Sequence, residues 1–259
     1  MYGCFADLTA PLAVAGRPSW VDTIVPKLLS VMDKQLARKS WKGKFAALRN
    51  VSYASGTVIF NGKEALKDYR QQAASKYAAI ITAANERAAT LTAAAKSDST
   101  AEELSDVYGC RDNAASALGK VLLVGADQVK DQLSTLLPAF LAAIPLREDS
   151  AEQSTVYSAL VKLATTYTET LKAEVAPYLG GVAEALKAVV VQPVAEEGAG
   201  VCSASGELCV PRKVADFVTK AAATFYGNHT AERSGWESGW SGEEKELFNK
   251  RISSVQSAA

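Results

Sequence analysis

Thr135-Leu136-Leu137-Pro138-Ala139-Phe140-Leu141 sets a proline in the middle of an apolar run, and the arrangement recurs at Glu174-Val175-Ala176-Pro177-Tyr178-Leu179 and Thr23-Ile24-Val25-Pro26-Lys27-Leu28-Leu29. A proline inside a helix costs about 3 kcal/mol, because it removes a hydrogen bond and clashes with the preceding turn. Repeating that cost at equivalent places points to a wanted kink in the first helix of a repeating pair. Pro138 and Pro177 are 39 residues apart, inside the roughly 40–47-residue range of helical repeats once loop variation is allowed for.

The helices between these prolines also resemble one another: Lys44-Phe45-Ala46-Ala47-Leu48, Asn113-Ala114-Ala115-Ser116-Ala117-Leu118, Val156-Tyr157-Ser158-Ala159-Leu160 and Ala215-Asp216-Phe217-Val218. Their small residues let helices approach closely. Trp20, Ile24, Leu28 and Met32 recur at helical spacing, with Ser19 as an expected N-cap. Trp41, Phe45, Leu48 and Val51 share one face of an expected helix from about Ser40 to Phe60, ended by Gly62. Residues 67–95 form a long Ala-rich segment, closed by Lys96-Ser97-Asp98-Ser99-Thr100. Thr100 and Glu103 have the spacing of a capping box for a helix to about Val124. Amphipathic stretches follow at 128–146, 151–168, 171–191 and 211–226.

The expected fold is therefore all-α, an α-solenoid of HEAT-type helical hairpins at about 19–60, 67–124, 128–168 and 171–226. A lone helix at 1–15 reads as the second half of a hairpin whose first half is absent. A loop insertion covers 192–210, and a polar, aromatic tail with a short helix from Glu243 to about Val255 fills 227–259, outside an array spanning 1–226.

Composition agrees. The 259 residues include 46 alanines and eight prolines, and Ala has the highest helix propensity. With 28 basic and 28 acidic side chains there is no basic surplus for general polyanion binding, so no nucleic acid partner is expected. No apolar run reaches the roughly 18 residues of a membrane span, and the N-terminus lacks a secretory pattern. Four Cys are too few for a disulfide scaffold, which makes a reducing intracellular setting the default.

One stretch is more specific. Cys110-Arg111-Asp112-Asn113-Ala114-Ala115-Ser116-Ala117-Leu118-Gly119-Lys120 is followed by Leu136-Leu137-Pro138-Ala139-Phe140-Leu141-Ala142-Ala143-Ile144-Pro145-Leu146-Arg147-Glu148-Asp149 and by Val156-Tyr157-Ser158-Ala159-Leu160. This string resembles the C-terminal part of importin-beta-type karyopherins, most of all the importin four/five subgroup, where "RDN…AL", "LP…LPLKED" and "E…VY..L" occur in that order. The match covers about 107–190. The resemblance implies a non-enzymatic nuclear transport receptor of cytoplasm and nucleus that binds protein cargo and phenylalanine-glycine nucleoporins. Ran-GTP binds the family's N-terminal repeats, which this resemblance does not reach, so Ran binding is not expected here. The rival reading is a HEAT scaffold in a cytoplasmic or cytoskeletal assembly. An enzyme or small-molecule bundle would need a convergent polar set that the sequence does not offer.

The expected roles of individual residues follow. Arg111, Asp112 and Asn113 are read as an interior structural ladder between repeats. The resemblance implies that acids on inner helices meet basic cargo, and Glu152 and Asp216 are the candidates. Because the net charge is zero, cargo attraction would rest on local acidic patches. Trp236 and Trp240 either bind a partner as exposed aromatics or fold back to cover the open end of the last hairpin. His229 lacks the base and orienter a nucleophilic site needs and is expected in a solvated loop. Cys202 and Cys209 lack the second close pair that a four-Cys zinc site requires. No catalytic residue, metal or cofactor is expected.

Overall fold

The computed structural model describes residues 21–94, 98–195 and 208–256. These are helical apart from turns and one two-residue strand pair, so the fold is all-α. The lone helix at 1–15, Ser19, Trp20, Lys96, Ser97 and Cys202 lie outside the described residues. The chain divides into two compact units, Met1–Ala143 and Ile144–Ala259. The division falls inside the expected 128–168 hairpin and leaves 227–259 with the second unit, rather than as a tail beyond a 1–226 array.

The first unit holds α1 (Val21–Leu36), α2 (Lys44–Gly62), α3 (Lys67–Ala93), α4 (Asp98–Gly125) and α5 (Leu133–Ala142). α1 packs on α2 and α3, α3 on α4 and α5, and α2 on α4. Point contacts give the directions. Arg87 meets Glu103 at 2.7 Å, while Arg70 lies against Gly125, so α3 and α4 are antiparallel. Arg49 lies against Gly109, Gly56 against Ala117, and Lys120 Nζ donates to Thr57 Oγ1 at 3.3 Å. Those contacts advance together, so α2 and α4 are parallel.

Small residues set the spacing of that parallel pair. A Cβ placed on Gly56 would stand 2.6 Å from the Cβ of Ala117, closer than atoms can approach. Every residue of α4 from Gly109 to Leu122 is buried. The helix is therefore enclosed on all sides rather than amphipathic, and Ala114, Ala115, Ser116, Ala117 and Gly119 keep it slender. Leu48, Val51, Val58, Ile59, Tyr77, Ile80, Leu118 and Val121 fill the core around it.

In the second unit α6 (Gln153–Lys162) runs through a π-helical turn, Leu163–Tyr167, into α7 (Thr168–Thr170). Next come α8 (Lys172–Val175), a 3-10 turn at Ala176–Tyr178 and α9 (Leu179–Val190). Pro177 sits in that 3-10 turn, whereas Pro26 and Pro138 stand inside α1 and α5. β1 (Val194–Ala195) pairs in parallel with β2 (Val210–Pro211), Val194 opposite Val210, closing the stem of the 192–210 insertion. The unit ends with α10 (Arg212–Asn228), α11 (Thr230–Glu237) and α12 (Gly242–Gln256). α10 packs on α9 and α6. Gln153 Nε2 donates to the Cys209 carbonyl at 3.3 Å, tying the start of α6 to the segment that leads into α10.

Three local expectations are corrected. α2 begins at Lys44, because Gly43 at φ 66° breaks the chain direction there; Trp41 precedes the helix and stacks on Phe45, centroids 5.6 Å apart. α4 is already helical at Asp98, so Thr100 lies within its first turn, and Glu103 pairs with Arg87. The 128–146 stretch is helical only over Leu133–Ala142, after two 3-10 turns.

Candidate binding site at the 145–147 turn

After α5 the chain turns through Pro145-Leu146-Arg147, the centre of the second motif in the string. Leu146 is fully buried, and its amide donates to the Tyr157 hydroxyl at 3.4 Å. Tyr157, itself fully buried, donates that hydroxyl to Gln192 Oε1 at 3.2 Å. One phenol thus joins the 145–147 turn to the turn after α9. Between those turns lies a cleft of about 270 Å³, lined by Pro145, Leu146 and Arg147 on one side and Val191, Gln192 and Pro193 on the other, with Leu208 closing it. Pockets for whole small ligands run to roughly 300–1,000 Å³, so this cleft is the size for one apolar side chain. Leu146, Val191, Leu208 and the two prolines offer it apolar contact; Arg147 and Gln192 offer polar edges.

The opposite wall is held from behind. Arg251 on α12 donates through Nη1 to the carbonyls of Val190 and of Gln192, the latter at 2.7 Å. A cation at the last carbonyls of a helix is favourable, because they are unsatisfied and carry its negative dipole end. Burial lowers the Arg251 pKa, helped by the nearby Arg212 guanidinium.

α12 reaches that position along a line of contacts. Trp236 faces Gly180, Trp240 Nε1 donates to Glu184 Oε1 at 2.6 Å, Lys187 meets Glu244 at 2.8 Å, and Arg251 reaches Val190. Both sequences advance together, so α11 and α12 run parallel to α9. Ser241 and Glu244 form a reciprocal capping box: the Ser241 amide donates to Glu244 Oε2 at 2.9 Å and the Glu244 amide to Ser241 Oγ at 3.1 Å. The Lys187 hydrogen bond and then the Ser241 amide hold the Glu244 carboxyl down to about 2. Burial alone would lower the Lys187 ammonium, but Glu244 and Glu184 outweigh it and raise its pKa.

The aromatic residues of the tail fold back. Trp236 stacks on Phe225 with centroids 5.5 Å apart, and Trp240 meets Tyr226 and Phe248 edge-on. Trp240 is only 6% exposed, so of the two readings its side chain follows the covering one; Trp236 stays half-buried. His229 belongs to the same cluster, 4.7 Å from Phe225, and is not a solvated loop residue.

The other expected site residues lie elsewhere. Glu152 is buried in the turn before α6, so its carboxylate is not offered to a cargo. Asp216 is exposed on α10, but Arg212, Lys213 and Lys220 stand three or four residues away, where helical neighbours face each other. Arg111, Asp112 and Asn113 are all buried. Asp112 Oδ1 accepts from Arg111 Nη2 at 3.0 Å, and Asn113 Nδ2 donates to the Gly109 carbonyl at 3.0 Å. A polar rung between the parallel helices α2 and α4 is supplied by Lys120, which reaches Thr57 and lies over the Tyr53 ring. Burial pushes the Cys110 thiol up, the opposite of what a nucleophilic cysteine needs. Cys209 is also buried.

Sequence reasoning quoted Pro145, Leu146 and Arg147 in a motif but assigned them no site, and it missed Val191, Gln192, Pro193, Leu208 and Arg251. A larger cleft in the first unit, about 500 Å³, is lined wholly by polar side chains, among them Lys67, Asp127 and Asp131. Among the described residues no group of three His, Cys, Asp or Glu could hold a metal, and no helix is long and apolar enough to cross a membrane. No family model, curated protein or solved structure matches this chain.

Proposed function

We propose that this chain is a protein-binding, non-enzymatic segment of an importin-beta-like nuclear transport receptor, acting in nuclear import of protein cargo between cytoplasm and nucleus. On this reading its helices form an α-solenoid of HEAT-type hairpins. The observation that carries it is the coincidence of motif and cleft: a turn inside the string that resembles the karyopherins also lines the side-chain-sized pocket. Antiparallel α3 and α4, with parallel α2 and α4 in the same unit, support the hairpin reading. A phenylalanine-glycine nucleoporin segment, which presents single phenylalanines on a flexible chain, suits a cleft of this size.

The second reading is a HEAT scaffold in a cytoplasmic or cytoskeletal assembly. What favours it is the placement of the two candidate acids: Glu152 is buried, and Asp216 is set among basic neighbours, so neither by itself presents an acidic surface to basic cargo. The test separates the two. The purified chain is passed over immobilised phenylalanine-glycine repeat peptide and, separately, immobilised Ran-GTP. Retention on the peptide, its loss in Leu208→Arg, and no retention on Ran-GTP are expected. Failure to bind the peptide overturns the transport reading.

A further inference from the structure

We infer that α12 is a strap that sets the shape of the 145–147 cleft, with Arg251 as the residue that positions its far wall. The inference concerns regulation of the proposed site and rests on that reading only for its consequence in binding.

The wall in question is Val191-Gln192-Pro193. From the front, the Gln192 side chain is fixed by the Tyr157 hydroxyl, and the Pro193 carbonyl accepts from the Val210 amide at 2.8 Å. From behind, the backbone is fixed by a single side chain. Arg251 Nη1 bridges the carbonyls of Val190 and Gln192, drawing the last turn of α9 and the wall beyond it onto one guanidinium. Within the segment itself the support is short-range: the Val191 amide donates to Lys187 and the Gln192 amide to Val189, at 3.0 and 3.2 Å.

The element that brings Arg251 there is pinned to α10 at one point, where Phe248 packs against Tyr226 and Trp240. Phe248 is the one buried side chain of α12, and α11 has none. The remaining ties of the tail to α9 are polar and exchangeable with water: Glu184 with Trp240, and Lys187 with Glu244. Glycines flank the entry to α12, and at Gly239 and Gly242 an added Cβ would meet nothing, so the peptide there turns in open space. An element with few buried apolar contacts and solvent-accessible ties lies at the low-stability end of a fold and opens before the rest. When α12 lifts, Arg251 leaves the Val190 and Gln192 carbonyls, and the cleft loses the backing of one wall. The strap therefore links any event that loosens or grips the C-terminal helix to the affinity of a cleft that α12 does not itself line.

Hydrogen–deuterium exchange of the full chain tests this without a ligand. In Arg251→Ala, exchange at the Val191 and Gln192 amides should rise at least tenfold, while Val182–Val189 and the first unit stay at wild-type rates. Arg251→Lys, which restores one charged donor, should recover part of the protection. Unchanged protection at Val191 and Gln192 in Arg251→Ala, or a rise spread evenly over α9, would overturn the strap. The phenylalanine-glycine peptide provides the second readout, with a severalfold weaker Kd expected for Arg251→Ala. If the wild-type chain ignores the peptide, the proposed function falls and the exchange result still decides the strap. If the wild type binds and Arg251→Ala binds equally well despite loosened amides, the coupling to the cleft is refuted.

Discussion

Two parallel helix seams in this molecule are built in opposite ways. Between α2 and α4 the contact is backbone-close: Gly56 lies against Ala117, α4 is buried from Gly109 to Leu122, and the polar tie is Lys120 to Thr57. Between α9 and α12 the contact is stood off by indoles and tied by polar groups, Glu184 to Trp240, Lys187 to Glu244, and Arg251 to backbone carbonyls. The first seam tolerates no added atom and no lost partner. The second is assembled from interactions that water can replace, each contributing modestly.

The sharpest break in the first unit is Asp112→Ala, inside α4. It leaves the Arg111 guanidinium buried without the carboxylate that meets it at 3.0 Å, and removing one partner of a buried pair costs about 3–5 kcal/mol. Chemical denaturation followed by circular dichroism should show the first unit losing most of its stability, with Asp112→Asn intermediate. Gly56→Val comes next. Its side chain would overlap Ala117, and overpacking of this kind costs about 1–3 kcal/mol. A companion Ala117→Gly should recover part of that loss if the seam has been identified correctly; no recovery would count against it.

Changes in the second seam should be smaller and local. Trp240→Phe keeps the ring among Tyr226 and Phe248 but removes the indole donor to Glu184, a loss of about 1 kcal/mol. It should raise amide exchange in α12 while leaving the first unit unchanged. The mildest probe is acid. The Glu244 carboxyl is held at about 2 in the folded chain, below its ordinary 4.5, so the folded state favours its ionised form. Its contribution is complete above about pH 4.5 and is lost as the pH falls towards 2. The Trp240 indole N–H resonance should therefore change in that window, and Glu244→Gln should remove the part of the change due to this group.

Much of the helical layout was legible in sequence, for reasons the seams make plain. The alanine excess and the glycines of α2 and α4 are the price-free side of close packing, so the elements at 44–62, 67–93, 98–125 and 212–228 fall near where periodicity and small residues put them. The recurring prolines point to a kink inside a helix at Pro177 as at Pro26 and Pro138; Pro177 instead sits in the 3-10 turn Ala176–Tyr178 that separates α8 from α9. What escaped depends on direction rather than pattern. Nothing in Gly235-Trp236-Glu237-Ser238-Gly239-Trp240 states whether the indoles face a partner or Phe225 and Tyr226. Arg251 reads as one more surface cation on a charged helix until α9 supplies the carbonyls. Glu152 looked like a surface acid because nothing in the sequence marks it as the one buried residue of the turn Ser150–Glu152. The cleft was half legible: Pro145, Leu146 and Arg147 stood in the motif, while its other wall lies some 45 residues further along the chain and is joined to it by the Tyr157 hydroxyl.

The central claim is that this cleft is where the chain takes hold of another protein. Isothermal titration of the wild-type chain and of Leu208→Arg with a phenylalanine-glycine repeat peptide tests it most directly, since residue 208 borders the cleft and an arginine there fills it without touching either unit's core. The account predicts saturable binding by the wild type and a loss of at least tenfold in Leu208→Arg at unchanged Tm. Binding of equal strength by both, or by neither, would contradict it.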